Sequence, residues 1–223
     1  MGRNILALDT STSACSVACW MSNKVVAEDY VDLGRGHAEA LVPMIASVMR
    51  EASIDYSQLD AVAVTLGPGT FTGLRIGLSA ARGLALAISK PMVGVTSLEA
   101  VAHATRFSQR SVLAILDARR GQFYAQSFNS ELQPVTSPSV VQAANIQSLV
   151  PTSPFVVVGT GTVIARPFLM RASFSHEDLI FDSSVRSPQA TVVAKIASVR
   201  KPVESRFLKP LYLRSPDVTF PKE

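Results

Sequence analysis

The chain has 223 residues, of which 48% are apolar, and its mean hydropathy is +0.27. This length and composition allow one large domain or two small ones, since domains usually hold about 100 to 200 residues. The longest apolar stretch, residues 78–95, is interrupted by Arg82, Lys90 and Pro91, so we expect no membrane-spanning helix. The first nine residues lack the apolar core and cleavage site of a secretory leader, which predicts a cytoplasmic protein.

The net charge of +4 is unevenly distributed along the chain. Residues 1–105 carry 7 basic and 9 acidic side chains, whereas residues 106–223 carry 14 basic and 8 acidic ones. The basic second half is a candidate for contact with RNA, although a well-solvated basic surface explains the charge equally well. The two cysteines, Cys15 and Cys19, fall on one face of an alternating segment, too far apart for a disulfide. We interpret them as small buried hydrophobic residues.

Alternation and helical spacing predict the elements of the first half. The predicted order is strands at 4–9, 14–20 and 24–31, a helix from about 37 to 52, a strand at 61–65, a helix through residues 74–85, and a strand at 92–95. The three initial strands form a meander. Pro43 is tolerated only in the first turn of its helix, and Thr72 is expected to cap the second helix.

The second half repeats this order. It contains predicted strands at 112–117, 122–129 and 155–159, and predicted helices around 143–149, from about 162, and at 189–199. The repetition indicates two similar α/β lobes that face a cleft. We place the lobes at residues 1–105 and 106–223, and expect the last helix or the tail at 210–214 to pack against either lobe.

Two polar loops follow predicted strands of the first half. The first, residues 9–13, combines an acid with four hydroxyls and can hold phosphate or magnesium, although a plain turn explains it too. The second, residues 67–77, is rich in glycine and leads into a helix, whose first amides favour anions. The residues of this weak nucleotide-binding prediction are Asp9, Thr10, Ser11, Gly67 and Gly69.

These loops, together with residues 91–99 and the segment Asp117-Ala118-Arg119-Arg120 before Tyr124, resemble the TsaB family. The resemblance is strong over residues 4–104 and fair over 112–124, and beyond them it is carried by the tail at 210–214. That family is related to the TsaD threonylcarbamoyl transferases and to the actin, sugar-kinase and Hsp70 group. The resemblance therefore implies an actin-like ATPase fold of two RNase H-like lobes, each a mixed sheet with flanking helices.

The resemblance also implies a function. It implies a cytoplasmic, non-catalytic subunit that binds and activates TsaD, together with the ATPase TsaE, in the synthesis of N6-threonylcarbamoyladenosine in tRNA. The chain then meets tRNA indirectly through the complex, and alone it can form a homodimer. ATP or ADP is compatible with the complex, but this chain itself is expected to need no cofactor.

The catalytic relatives place two metal-binding histidines four residues apart on the helix after the strand equivalent to 92–95. Here the matching positions hold Ser97 and Val101, and neither replaces an imidazole. We therefore expect no metal site and no catalytic residue. His37 is interpreted as a helix start, His103 as a capping or surface residue, and His176 as solvated surface. The alternative is a nucleotide-dependent enzyme or a metallopeptidase of the same superfamily.

Both helices predicted in the first half carry more apolar residues than one buried face requires, which suits helix-on-helix docking. The alternative is that they are sandwiched in the core of this chain, and the family resemblance favours a TsaD interface. The predicted interface contains Leu41, Ile45, Val48, Leu74, Leu78 and Ala81, with Arg75 and Arg82 as ion-pairing residues at its rim. Arg119 and Arg120 are candidate RNA contacts.

Overall fold

The computed structural model describes residues 2–107, 109–171, 174–175 and 177–214. The strands of this part of the chain are β1 (Ile5–Asp9), β2 (Ala14–Met21), β3 (Lys24–Asp32), β4 (Ala61–Thr65), β5 (Met92–Val95), β6 (Ser111–Asp117), β7 (Gln122–Phe128), β8 (Ser139–Gln142), β9 (Phe155–Val158) and β10 (Leu179–Phe181). The α-helices are α1 (His37–Glu51), α2 (Phe71–Ala87), α3 (Ser97–His103), α4 (Thr162–Leu169) and α5 (Ala190–Val199). Short 3-10 helices span Tyr56–Gln58, Ala143–Leu149 and Ser205–Phe207.

The first sheet has the strand order β3-β2-β1-β4-β5. The antiparallel meander predicted for β1 to β3 is confirmed, and β4 and β5 are added in parallel. Strand β1 lies at the centre, and all five of its residues are fully buried because both faces of the sheet are covered. Leu6 and Leu8 pack toward α1 and α2, whereas Ile5 and Ala7 pack toward α5.

The second sheet has the order β10-β9-β6-β7-β8, in which β6 occupies the central position that β1 has in the first sheet. Helix α3 covers one face, and α4 with the 3-10 helix Ala143–Leu149 covers the other. The predictions missed β8 and β10, which have four and three residues. Strands this short give too few alternations for a periodic signal.

Helix α5 follows the second sheet in the chain but packs against the first, where it contacts β1 and β2. Its small buried residues Ala190, Ala194 and Ala197 allow the helix to approach the strands closely. Helices α3 and α5 also contact each other, so a helical layer separates the two sheets. By packing, the last helix therefore belongs to the first lobe, while the boundary at 105/106 stays a prediction.

Two local predictions are wrong. Pro43 is the seventh residue of α1 rather than a first-turn residue, and its exposed side leaves the unpaired Glu39 carbonyl to water. Thr70, and not Thr72, caps α2, because its hydroxyl accepts a hydrogen bond from the amide of Gly73 at 3.2 Å. Among the described residues, no helix is both long enough and apolar enough to cross a membrane.

Two glycines of α2 provide a matched test of how closely this helix approaches the sheet. A Cβ at Gly73 would overlap the carbonyl oxygen of Thr10, whereas a Cβ at Gly83 meets nothing within 4 Å. We expect Gly73→Ala to lower the free energy of unfolding by about 1–3 kcal/mol, because the loop after β1 must move. Gly83→Ala should raise it by about 0.5–1 kcal/mol, since alanine loses less conformational entropy in a helix. Urea denaturation measures both, and a Gly73→Ala protein as stable as the parent would contradict the close approach.

Candidate functional site

A cavity of about 450 Å³ lies between the two sheets, at the ends of the central strands β1 and β6. The loop after β1 and the start of α2 line it on one side, and the β6–β7 turn with Thr160 lines it on the other. This is the cleft that the repeated order of elements predicts.

Asp9, at the end of β1, is fully buried and does not line the cavity. Its Oδ1 accepts hydrogen bonds from the amide and hydroxyl of Ser11, at 3.2 and 2.6 Å, and from the Thr65 hydroxyl at 2.6 Å. Its Oδ2 is buried and has no partner among the described residues. Burial raises the pKa of Asp9 to about 6, although the hydrogen bonds from Ser11 and Thr65 and the charge of His37 act in the opposite direction. Through Oδ1, the carboxyl group therefore holds the turn together.

The loop after β1 and the loop before α2 bind each other directly. The Thr10 hydroxyl donates to the Gly73 carbonyl at 2.7 Å, and the Thr70 amide donates to the Ser11 carbonyl at 2.8 Å. A Cβ at Gly69 would overlap that same Ser11 carbonyl. The glycine-rich loop thus allows the backbone of the loop after β1 to approach closely.

The five residues of the nucleotide-binding prediction therefore have different environments. Ser11 and Gly69 line the cavity. Asp9 and Thr10 point into the core, and Gly67 lies against the C-terminal tail, where a Cβ would stand 2.8 Å from the Leu211 carbonyl oxygen. The chain itself thus occupies the Thr10 hydroxyl, one oxygen of the Asp9 carboxyl group and the space beside Gly67, and the contact of a nucleotide with these residues stays a prediction.

The opposite wall of the cavity is basic. Arg119 lines it together with Arg186 and Arg214, and Asp117 is the acidic residue of the lining. The turn is fixed by the Asp117 carboxylate, which accepts from the Arg119 amide at 2.8 Å. Arg120 follows on the exposed side of the same turn. An excess of guanidinium groups around a polar cavity favours anions. Sequence reasoning missed Arg186, because no local motif connects it to the cleft.

The C-terminal tail lines the cavity with residues 211–214 and contacts both lobes. The Leu211 amide donates to the Leu66 carbonyl at 2.7 Å, and the Tyr212 ring lies 5.0 Å from the Phe71 ring. At its far end, the Arg214 guanidinium donates to the Ala118 carbonyl at 2.8 Å. The tail predicted to pack on either lobe therefore bridges the two.

The two arginines of α2 hold this tail. Arg75 stacks 3.8 Å from the centre of the Phe71 ring and donates to the Tyr212 hydroxyl at 3.4 Å. Arg82 donates to the Leu208 carbonyl. Both guanidinium groups therefore bind groups of this chain, and their role in ion pairs at the rim of a partner interface stays a prediction.

The apolar residues predicted to face a partner are also placed differently. They are at most 7% exposed and pack in this chain's own core: Leu41, Ile45, Val48, Leu74, Leu78 and Ala81. The periodicity identified a buried face correctly, but the first sheet buries it. The outward side of the two helices carries other residues, which we call the docking face: Val42, Ala46, Ser79, Gly83 and Leu86.

Helix α3 carries the two positions where the sequence lacks a histidine pair. Ser97 and Val101 are both fully buried there. Within the described ranges, no group of three or more His, Cys, Asp or Glu side chains could hold a metal ion. His37 begins α1 as predicted, and His103 ends α3 half-buried, with its pKa lowered by burial. His176 lies outside the described residues.

Comparison with known proteins identifies the family. Residues 31–206 match the sequence model of TsaD, tRNA N6-adenosine threonylcarbamoyltransferase. The Escherichia coli K12 protein described as tRNA threonylcarbamoyladenosine biosynthesis protein TsaB is 33% identical over 226 residues, covering 95% of this chain and 94% of that protein. The chain belongs to the TsaB family.

Solved structures agree with this assignment to the TsaB family. YeaZ from Pseudomonas aeruginosa superimposes with a TM-score of 0.81 at 29% identity, over 95% of this chain and 100% of that one. The component A of (R)-2-hydroxyglutaryl-CoA dehydratase from Acidaminococcus fermentans has a TM-score of 0.53 at 10% identity, over 88% and 99% of the chains, and shares the fold alone. The predicted actin-like α/β fold of this TsaB-family chain is confirmed.

The buried carboxyl of Asp9 predicts a pH dependence that Asp9→Asn removes. The folded state binds this proton more tightly than the unfolded chain, because the pKa rises from 3.8 to about 6. As the pH rises through this window, the free energy of unfolding of the parent should therefore fall relative to that of Asp9→Asn, and it should stay level above the window. A shift of this size corresponds to about 3 kcal/mol. Urea denaturation of both proteins across the window measures it, and parallel curves would refute it.

Proposed function

We propose that this chain is the non-catalytic, cytoplasmic subunit that supports TsaD, together with TsaE, in forming N6-threonylcarbamoyladenosine in tRNA. The observation that carries the proposal is membership of the TsaB family over nearly the whole chain. The names of its relatives in that family refer to the biosynthesis of threonylcarbamoyladenosine in tRNA. The match of residues 31–206 to the TsaD model also supports the proposal, because it indicates that most of this chain is related in sequence to the transferase.

The residues of the cleft favour a supporting role over catalysis. The α3 positions of the expected histidine pair hold a serine and a valine, both sealed in the core. One oxygen of the Asp9 carboxyl group accepts hydrogen bonds from the hydroxyls of Ser11 and Thr65, so it supports the loop after β1. We therefore propose that the chain needs no cofactor, and that any ATP or ADP in the assembly serves the other subunits.

The docking face on α1 and α2 is the surface proposed to bind TsaD. Val42 is 63% exposed and Leu86 80% exposed, and the small Ala46, Ser79 and Gly83 between them allow another helix to approach. Helices α1 and α2 pack against each other, so their outward sides form one surface.

TsaD is the occupant to which this proposal commits. The stretch that matches the TsaD model includes both helices, so TsaD should present a related helix pair. Two related pairs can pack across a pseudo-twofold axis, helix against helix, and a standard interface buries about 1,600 Å² in total. A second copy of this chain presents the same surface, and the homodimer should therefore compete with the TsaD complex.

The basic cleft is the observation that favours the second candidate, a nucleotide-dependent enzyme of the same fold. Its hydroxyls and arginines suit a phosphate-bearing ligand. The test is ATP hydrolysis and bound metal measured on the isolated chain. Turnover by the chain alone would support the enzyme and contradict the supporting role. Arg119 and Arg120, at the edge of this cleft, remain proposed RNA contacts within the assembly.

The function is tested by reconstitution. TsaD and TsaE are combined with tRNA, threonine, bicarbonate and ATP, together with the enzyme that forms threonylcarbamoyl-adenylate, with and without this chain. Modified adenosine, measured by mass spectrometry of digested tRNA, should appear when the chain is present and be lost when it is omitted. Equal modification in both reactions would refute the proposal.

The docking face predicts a selective loss of TsaD binding. Leu86→Glu places a charge in the proposed apolar contact and should weaken the complex by about tenfold or more. Val199→Glu is the matched control, because Val199 is 86% exposed on α5, on the other side of the first sheet. Both variants change exposed residues and should keep the parent's circular dichroism spectrum. Co-purification with TsaD measures binding, and equal loss in the two variants would argue against this face.

A further inference from the structure

We propose that the C-terminal segment, with Arg75 of α2 beside it, forms a surface that binds single-stranded RNA directly. This surface, the tail strip, consists of Lys201, Arg206, Phe207, Lys209, Tyr212 and Arg75. The inference rests on the proposed function for the identity of the RNA, which is an unpaired loop of the tRNA that the complex modifies. It goes beyond that function because it gives this chain its own contact with the tRNA.

The segment that carries the tail strip is fixed to the first lobe at three points. The backbone of Val203 exchanges two hydrogen bonds of 2.8 Å with Met92 on the edge strand β5. Leu208 is buried in the core, and its carbonyl accepts from Arg82. The Leu211 amide then binds Leu66. The side chains between these anchors therefore stand on an ordered backbone, and an RNA does not have to order it on binding.

The strip is strongly basic. Residues 201–214 contain four basic side chains and one acidic side chain, Glu204. Glu204 pairs with Arg206 at 3.0 Å, but both side chains are about two-thirds exposed, so the pair is weak and leaves most of the positive field intact. Arg75 adds another guanidinium from α2, and the strip continues into the cleft at Arg214. A continuous basic path of this kind attracts a phosphate backbone.

Aromatic rings alternate with these charges. Phe207 is 63% exposed, and the Arg206 guanidinium lies 4.9 Å from its ring centre. Tyr212 is 39% exposed and packs against Phe71, on which Arg75 also stacks. Exposed rings beside guanidinium planes can accept the faces of bases, and such stacking does not require a particular base.

The combination favours an unpaired RNA over a duplex or a protein. The bases of a duplex are stacked on one another and present no free face, so exposed rings add nothing to duplex binding. The centre of a protein interface is usually depleted of charge, whereas every ring of the tail strip is next to a cation. The docking face already provides an apolar surface of that kind.

The experiment measures fluorescence anisotropy of a labelled single-stranded RNA, and of a duplex of the same sequence, with the full-length chain. Phe207→Ala should weaken single-strand binding by about 5- to 30-fold, from the loss of one stacked base, and should not change duplex binding. Lys209→Ala should lower the slope of log affinity against log salt by about 0.7, the value for one phosphate of a single strand. Lys24→Ala, an exposed lysine at the start of β3, is the control and should bind as the parent does.

Each outcome separates the tail strip from the proposed function. Single-strand binding that is unchanged in Phe207→Ala would overturn the strip, and if reconstituted modification still required the chain, the supporting role would stand. Loss of TsaD co-purification in Phe207→Ala, with RNA binding unchanged, would overturn the strip in favour of a protein surface. RNA binding that depends on Phe207, with tRNA modification indifferent to the chain, would support the strip and overturn the supporting role.

Discussion

The contact between the loop after β1 and the start of α2 determines most of the architecture around the cleft. Two backbone carbonyls of the first loop lie so close to Gly69 and Gly73 that neither position has room for a side chain. Helix α2 therefore begins directly against the central strand. This approach fixes α2 on the sheet, and α2 in turn carries the docking face on one side and the arginines that hold the tail on another. A side chain at either glycine would displace all of these features together.

The same contact determines which polar groups of the cleft remain available to a ligand. In a nucleotide-binding loop, backbone amides, hydroxyls and an acid remain available to phosphate and metal. Here the hydroxyl of Thr10 and one oxygen of the Asp9 carboxyl group are already bound within the chain. What remains in the cavity is a set of hydroxyls and arginines, partly covered by the tail.

Local patterns in the sequence were sufficient to locate most helices and strands, but not to predict what packs against them. Alternation located β1 to β3, and helical spacing located α1, α2 and α5 to within a residue or two. The same spacing could not tell whether Leu41 and Leu78 face a partner or the chain's own sheet, because periodicity records that a face is buried and not what buries it. Elements of three or four residues, such as β8 and β10, carry too little pattern to be detected.

The site was harder to predict, because its decisive contacts join residues far apart in the chain. Arg82 and Leu208 are separated by 126 positions, and Arg75 and Tyr212 by 137. Nothing near an arginine indicates that its guanidinium will bind a carbonyl in a distant tail. The family resemblance, by contrast, was recognisable because it rests on short motifs at the ends of central strands, where the fold constrains residue type most strongly.

The return of α5 to the first sheet has a consequence for how the protein is made. Ile5 and Ala7 lie on a face against which this late helix packs, yet they are translated about 180 residues before it. While the second lobe is being translated, the first lobe exposes an apolar face of its sheet, to which chaperones or another copy of the chain can bind. The first lobe therefore reaches its native packing only after α5 has been synthesised, and not when the first half of the chain is complete.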